Sequence, residues 1–278
     1  MSPQPKCARC KDMGYLIDRT HEFCVARACD CKAHCSLCGD RGYLYETVSG
    51  YEMARECQCR IRPRRLQLFN AARIPARCNG TFEDFKPRAQ QKLVLAKETA
   101  WATVHEYKRE HPSRGFVISG PVGTGKTHLL CATLHWLTLE AGFSARYVES
   151  SFLYSEIKNG FSHGQSVLDA LQPLIAPDVL AIDELGRGRC TEFELETIDE
   201  LIARRYNSGR TTIFATNYLL TKRPSATGSG YYDPAQTQAS RCLVDRIGDR
   251  CWSRLNEMCH LIELPQETTD YRLNRTRR

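Results

Sequence analysis

The octapeptide Gly120-Pro121-Val122-Gly123-Thr124-Gly125-Lys126-Thr127 leaves this chain of 278 residues few ways to fold. It is a complete G-x-x-x-x-G-K-[ST] phosphate loop, and that motif works only between a buried strand and a helix. Both flanks are present: Phe116-Val117-Ile118-Ser119 reads as the strand, and Leu129, Leu130, Ala132, Leu134 and Leu137 carry the apolar periodicity of the helix. Glycines let backbone N–H groups curl around a triphosphate, and the helix N-terminus adds its positive end. Lys126 can then reach the outer phosphates and Thr127 can ligate magnesium. The whole loop, extended by His128 into the helix, is the expected nucleotide-binding segment.

Downstream, strands and helical patterns alternate, which predicts a parallel α/β sheet with crossover helices. Ser144-Ala145-Arg146-Tyr147-Val148 reads as the second strand, and residues 151 to 172 as helix interrupted near Gly160 and Gly164. Val179-Leu180-Ala181-Ile182-Asp183-Glu184 is a buried strand ending in two carboxylates. Asp183 is expected to hold magnesium, directly or through water, and Glu184 to polarise an attacking water. A helix through Phe193, Leu195, Ile198, Leu201 and Ile202 leads to Thr211-Thr212-Ile213-Phe214-Ala215-Thr216-Asn217, a strand whose terminal amide is placed to orient the water or touch the outer phosphate. Arg250 and Arg254 lie four apart on one helical face. An arginine's planar fork suits a γ-phosphate, so Arg254, with Arg250 behind it, is a candidate to serve a neighbouring subunit; surface salt bridges are the plainer alternative. Cys259-His260-Leu261-Ile262-Glu263-Leu264 reads as the fifth strand.

The first 60 residues follow a different plan. Nine of the fifteen cysteines lie there, and eight form a duplication with a period of 28 residues: Cys7 and Cys35, Cys10 and Cys38, Cys29 and Cys57, Cys31 and Cys59. Each copy reads C-x2-C-x18-C-x-C, and Lys11-Asp12-Met13-Gly14-Tyr15-Leu16 answers Gly39-Asp40-Arg41-Gly42-Tyr43-Leu44. Four soft thiolates on two short knuckles suit tetrahedral zinc, with a hairpin between the pairs. Two zinc sites are therefore expected, ahead of one site, an iron–sulfur centre or disulfides. Cys24, His21 and His34 fall outside the repeat and are expected not to be ligands. Modules this small draw folding energy from metal, and their expected role is a docking surface for a partner protein.

Between the two lies a connector. Arg60, Arg62, Arg64 and Arg65 precede Leu66, Leu68, Phe69, Ala71 and Ala72, which predicts a short helix after Pro63, closed by Ile74-Pro75. Residues 88 to 110 predict an amphipathic helix ahead of the first strand. The resulting domain expectation is a zinc module over 1–60, linker and helices over 61–115, and the nucleotide core with a short basic tail over 116–278. The formal charge of +7 counts every thiol as neutral. Two zinc-tetrathiolate centres would remove about four of those charges, so basicity alone argues little for nucleic acid. No apolar run nears the roughly 20 residues that span a bilayer and the opening residues lack a signal-peptide core, so a cytoplasmic, membrane-free protein is expected.

The phosphate loop, Asp183-Glu184, Asn217 and Ser253-Arg254-Leu255, in this order, resemble the AAA+ ATPases. A closer resemblance is to the DnaC/DnaI-type replicative helicase loaders and the related IstB transposition helper. It is carried by Cys35-x-x-Cys38-Gly-Asp-Arg-Gly with Cys57-x-Cys59, by Ile74-Pro75 leading to Thr81-Phe82-Glu83-Asp84-Phe85, and by Ser253-Arg254-Leu255 through Asp270-Tyr271-Arg272. The resemblance implies a five-stranded core with helices on both faces and no helical lid. It implies ATP and magnesium at Lys126 and Thr127, hydrolysis supported by Asp183 and Glu184, Asn217 as sensor 1, and Arg254 as an arginine finger through which subunits associate. The implied partners are a hexameric replicative helicase, held by the N-terminal module, and single-stranded DNA, held by the core; a role in transposition is the alternative. Two features depart from the family pattern: the metal module is duplicated, and the stretch from Lys222 to Ser240 is long, a loop that could face DNA.

Overall fold

The computed structural model describes residues 7–32, 35–78, 80–87, 90–109, 114–161, 164–220, 242–268 and 270–271. His34, the 222–240 stretch and the basic tail from residue 272 onward therefore lie outside the described residues. Each cysteine repeat folds as a two-stranded antiparallel hairpin, β1 (Tyr15–Asp18) with β2 (Val25–Ala28) and β3 (Tyr43–Val48) with β4 (Tyr51–Glu56). The connector supplies α1 (Gln58–Ala71) and α2 (Gln91–Arg109).

The core is a five-stranded sheet of β5 (Gly115–Ser119), β6 (Ala145–Glu149), β7 (Val179–Asp183), β8 (Thr211–Thr216) and β9 (Cys259–Glu263). All neighbours are parallel, in the order β6-β7-β8-β5-β9. This order seats β8, not the acidic strand β7, beside the phosphate-loop strand, and brings the ends of all three to one edge. Ligand sites of open parallel sheets form at such carboxyl ends.

Successive strand residues face opposite sides of the sheet, and the core divides accordingly. Phe116, Ile118, Tyr147, Ala181 and Ile213 join α1, α2 and α3 (Lys126–Trp136). Val117, Val148, Leu180, Ile182 and Phe214 join α4 (Ser150–Phe161), α5 (Val167–Ile175), α6 (Glu192–Asn207) and α8 (Asp249–Met258), which follows the single-turn α7 (Val244–Ile247). Both faces must be covered, which is why these strands read as continuous apolar runs rather than alternating ones. Capping boxes, Ser166 with Asp169 and Thr191 with Glu194, start α5 and α6.

One expectation needs correcting. The sequence predicts a connector helix after Pro63, but α1 starts at Gln58 and carries Pro63 inside it. Cys57 is its N-cap, and the N–H groups of Arg60 and Ile61 both donate to the Cys57 carbonyl. The second cysteine pair is thus the first turn of the helix, and Pro63 sits in the second turn, where it cannot donate to the Cys59 carbonyl. The first repeat is tied to this helix: Asn70 grips the Ala26 backbone from both sides, accepting at 2.7 Å and donating at 3.1 Å. Tyr15, Cys24 and Ala26 are buried in the same core as Phe69 and Ala72.

Candidate nucleotide site and metal centres

At the carboxyl end of the sheet, Gly123 and Gly125 adopt φ of 76° and 91°, the left-handed region in which L side chains are strained. A Cβ on Gly123 would lie 1.8 Å from Asp270 Oδ1, and one on Gly125 would lie 2.6 Å from the Phe85 ring. The loop is therefore hemmed in by the connector on one side and the segment after β9 on the other. Tyr271 N–H donates to the Gly123 carbonyl at 3.0 Å, and its hydroxyl donates to the Lys86 carbonyl. Buried Lys126 donates from Nζ to the carbonyls of Gly120 and Pro121 at 2.7 and 2.6 Å.

Behind the lysine the acidic strand arrives. Asp183 is 4% exposed, and its Oδ2 accepts from Thr127 Oγ1 and from the Tyr147 hydroxyl, both at 2.8 Å. Its Oδ1 accepts from the Glu184 N–H at 2.9 Å. Burial, then the Asp183 charge, push the Tyr147 hydroxyl far above the usual tyrosine range, so it stays a donor. A hydroxyl and a nearly buried carboxylate in contact form a hard oxygen pair of the kind magnesium takes.

Glu184 occupies φ of 53°, a backbone state costing a non-glycine residue about 1–2 kcal/mol. That kink turns it out of the strand toward Arg187, with which its carboxylate pairs, while Arg187 also lies 3.9 Å from Glu149. Burial raises the Glu184 pKa; Arg187 opposes this, and the neighbouring Glu149 adds to it. Asn217, exposed just past β8, lines the same cleft of about 230 Å³ as the loop, Asp183 and Glu184. His128 also borders the cleft, but its Nε2 sits 2.8 Å from the Thr81 carbonyl, so that nitrogen carries the proton and is engaged with the connector. Arg254 lies on α8 with its guanidinium 2.7 Å from Asp199 of α6, while Arg250 is exposed in the helix's first turn.

Several groups around the cleft escaped the sequence reading. Tyr147 and Glu149 sat inside or just after an expected strand with no motif to mark them. Arg77, which meets Glu149 at 3.2 Å, and Cys78 come from the short turn after Pro75. Their nearest signal was the connector motif around Ile74-Pro75 itself. Tyr271 falls in the Asp270-Tyr271-Arg272 motif, but spacing carries no sign of its seat on Gly123.

The eight repeat cysteines gather in two tetrads, Cys7, Cys10, Cys29 and Cys31, and Cys35, Cys38, Cys57 and Cys59, with the sulfurs of each set within 4.8 Å of one another. Sγ separations of 3.4 Å for Cys10 to Cys31 and for Cys38 to Cys59, and 3.6 Å for Cys35 to Cys57, are far beyond a disulfide bond of about 2.05 Å. They approach the roughly 3.8 Å edge of a tetrahedron with 2.3 Å metal–sulfur bonds. Gly14 N–H donates to Cys10 Sγ and Gly42 N–H to Cys38 Sγ, each at 3.3 Å, so the duplication extends to the amides that steady a thiolate. Cys24 stands apart; burial pushes its thiol up to about 11. The donor sets fit zinc.

Among the described residues no helix is long and apolar enough to cross a membrane. Compared with known proteins, residues 26–274 match the family model for the IstB-like ATP binding protein. The replicative helicase loader DnaC of Buchnera aphidicola (subspecies Baizongia pistaciae) is 33% identical over 144 residues, which is 50% of this chain and 56% of that protein. A candidate ATP-binding protein of an insertion sequence in Mycobacterium tuberculosis is 29% identical over 145 residues, 49% of this chain and 53% of that protein. The chain thus spans about half the length of the curated relatives it matches. The crystal structure of the DnaC helicase loader superposes with a TM-score of 0.52 at 24% identity, covering 72% of this chain and 99% of that one, a likeness of fold.

Proposed function

This chain belongs to the IstB-like ATP binding protein family, and from that premise we propose that it is an ATP-switched loader of a hexameric replicative helicase. The observation that carries the proposal is the knot of Thr127, Asp183 and Tyr147 behind Lys126, with Glu184 turned to the rim of the same cleft. Lys126 and the loop amides would bind the triphosphate, and Thr127 and Asp183 would hold magnesium, which when bound neutralises phosphate charge. Glu184 would take the proton of the attacking water and Asn217 would orient it. Phosphoryl transfer asks little covalent chemistry of the protein, so placement and charge account for this residue set. Arg254, held by Asp199 within the chain, would exchange that partner for the γ-phosphate in a neighbouring subunit's site.

On this reading the two cysteine tetrads hold two zinc ions, the head grips the helicase, and the core holds single-stranded DNA in the cytoplasm. The domain division follows the same lines: residues 1–60 for the metal, 61–115 to connect, 116–278 for nucleotide. The test is ATP turnover, with and without single-stranded DNA, of the full chain and of Glu184→Gln. A turnover stimulated by DNA and reduced about 10²-fold or more by the substitution is expected. A rate indifferent to both would leave a nucleotide-dependent adaptor that scarcely hydrolyses ATP.

The insertion-sequence relative and the family match favour a second reading, an ATPase helper of transposition acting on duplex DNA. Co-purification from native extract with a transposase rather than a helicase would select it.

A further inference from the structure

The duplicated head is unequal in its surroundings. The first copy buries Tyr15, Cys24 and Ala26 in the main core, whereas the positions 28 residues on include Glu52 and Ala54, both exposed. The second hairpin thus stands clear of the core. On its other face the cross-strand pairs Leu44 with Arg55, Glu46 with Met53 and Val48 with Tyr51 lie side by side. Leu44 and Arg55, at the base of that face, line a groove of about 620 Å³ whose far wall is α1 and whose rim carries Met13 and Leu37, one from each cysteine knuckle. Leu37 is 66% exposed and Tyr51 77%. Leu44, Met53, Val48 and Tyr51 therefore make an apolar diagonal up the hairpin beside the Glu46–Arg55 ion pair, and a grouped set of this kind marks an interaction site more often than scattered surface residues do.

Charge says what would cover it. Arg55 is matched by Glu46 at 2.8 Å, and Glu56 engages Arg60 at 3.5 Å. Arg62 and Arg65, on the α1 wall, have no acid within ion-pair distance among the described residues, and Nε of Arg65 is buried without a hydrogen-bond partner. Glu140 is the remaining acid of the groove, so arginines outnumber carboxylates among its lining side chains. We propose that this groove receives an acidic amphipathic helix of a partner protein, with its apolar side along Leu37, Leu44 and Met53 and its carboxylates on Arg62 and Arg65. The proposal rests on the partner-gripping role given to the head above, and adds the surface and the chemistry of the segment gripped.

Two fluorescein-labelled synthetic helical peptides with the same leucine face, one with glutamates and one with lysines on the polar face, test it against the zinc-loaded full chain by fluorescence polarisation. The glutamate peptide is expected to bind saturably and at least about tenfold more tightly than the lysine peptide. Arg62→Glu should erase or invert that preference and Met53→Asp should weaken both peptides, with zinc content and ATP turnover unchanged in each variant. Equal binding of the two peptides, no binding of either, or a preference untouched by Arg62→Glu overturns the proposal. A parallel titration with a purified hexameric helicase separates the two readings. Glutamate-peptide binding without helicase binding sinks the loader function and spares the groove; helicase binding that Arg62→Glu and Met53→Asp leave intact does the reverse.

Discussion

Asp183 and Glu184 are neighbours in sequence with different surroundings. Asp183 is enclosed by three donors, from Thr127, Tyr147 and its own successor's amide, whereas Glu184 shares Arg187 with a second carboxylate, Glu149. If Glu184 is the base, turnover needs it ionised, and burial, which raises its pKa, sets the acid limb of the pH–rate profile above that of an ordinary glutamate. Glu149→Gln removes the neighbouring negative charge, so the Glu184 pKa should fall and the acid limb move to lower pH. Arg187→Ala removes the cation that favours the ionised form, so its limb should move to higher pH. Turnover of the three proteins between pH 5 and pH 8 checks both signs at once, and limbs that coincide would exclude Glu184 as the titrating base. Both acidic residues were legible from the strand that carries them. Glu149 was not, because an acid at the end of an edge strand becomes informative only when the sheet order places it beside Glu184.

Among the elements, the strands were the most legible, since each is an apolar run covered on both faces. Element ends were less so, as α1 illustrates: Pro63 is a strong local helix-start signal, but the fold of the cysteine pair outweighs it by capping the helix at Cys57 and starting it at Gln58. How elements are fastened was not legible at all. Arg205 of α6 is completely buried, and its guanidinium donates to the carbonyls of Leu174, Ile175, Pro177, Asp178 and Thr211 and to Thr212 Oγ1. It closes the C-terminus of α5 and ties it to the starts of β7 and β8. No carboxylate is among those acceptors, since Asp178 offers its backbone carbonyl, and burial pulls the Arg205 pKa down to about 9, which still leaves it charged at neutral pH. Arg205→Ala would strand these acceptors and should cost about 3–5 kcal/mol, read as a lower urea midpoint. Arg205→Lys should not rescue it, because three ammonium donors on one point cannot serve six acceptors spread around a planar fork. A lysine variant as stable as the parent would show that charge, rather than the fork, is what matters there.

Across the whole molecule, the duplication was visible in the spacing of eight cysteines, but the inequality of its copies was not. Tyr15 and Tyr43 occupy equivalent places in the repeat, and only the first is enclosed by the core. What differs is the chain that follows: α1 begins at the end of the second copy and folds back against β2, so the first copy is enclosed and the second left outside. That geometry predicts unequal consequences of losing metal. With zinc held as proposed, Cys38→Ser should release one of two ions and, because the second hairpin lies outside the core, shift the melting temperature by no more than about 2 °C. Cys10→Ser should release the other and loosen Tyr15, Cys24 and Ala26 from Phe69 and Ala72 as well. Losing even about 2 kcal/mol of that burial would lower the melting temperature of a chain this size by roughly 3–4 °C. Elemental analysis and calorimetry on the two variants make the comparison. The same loss of zinc with the larger thermal shift in Cys38→Ser would mean that the second module, not the first, is the one built into the fold.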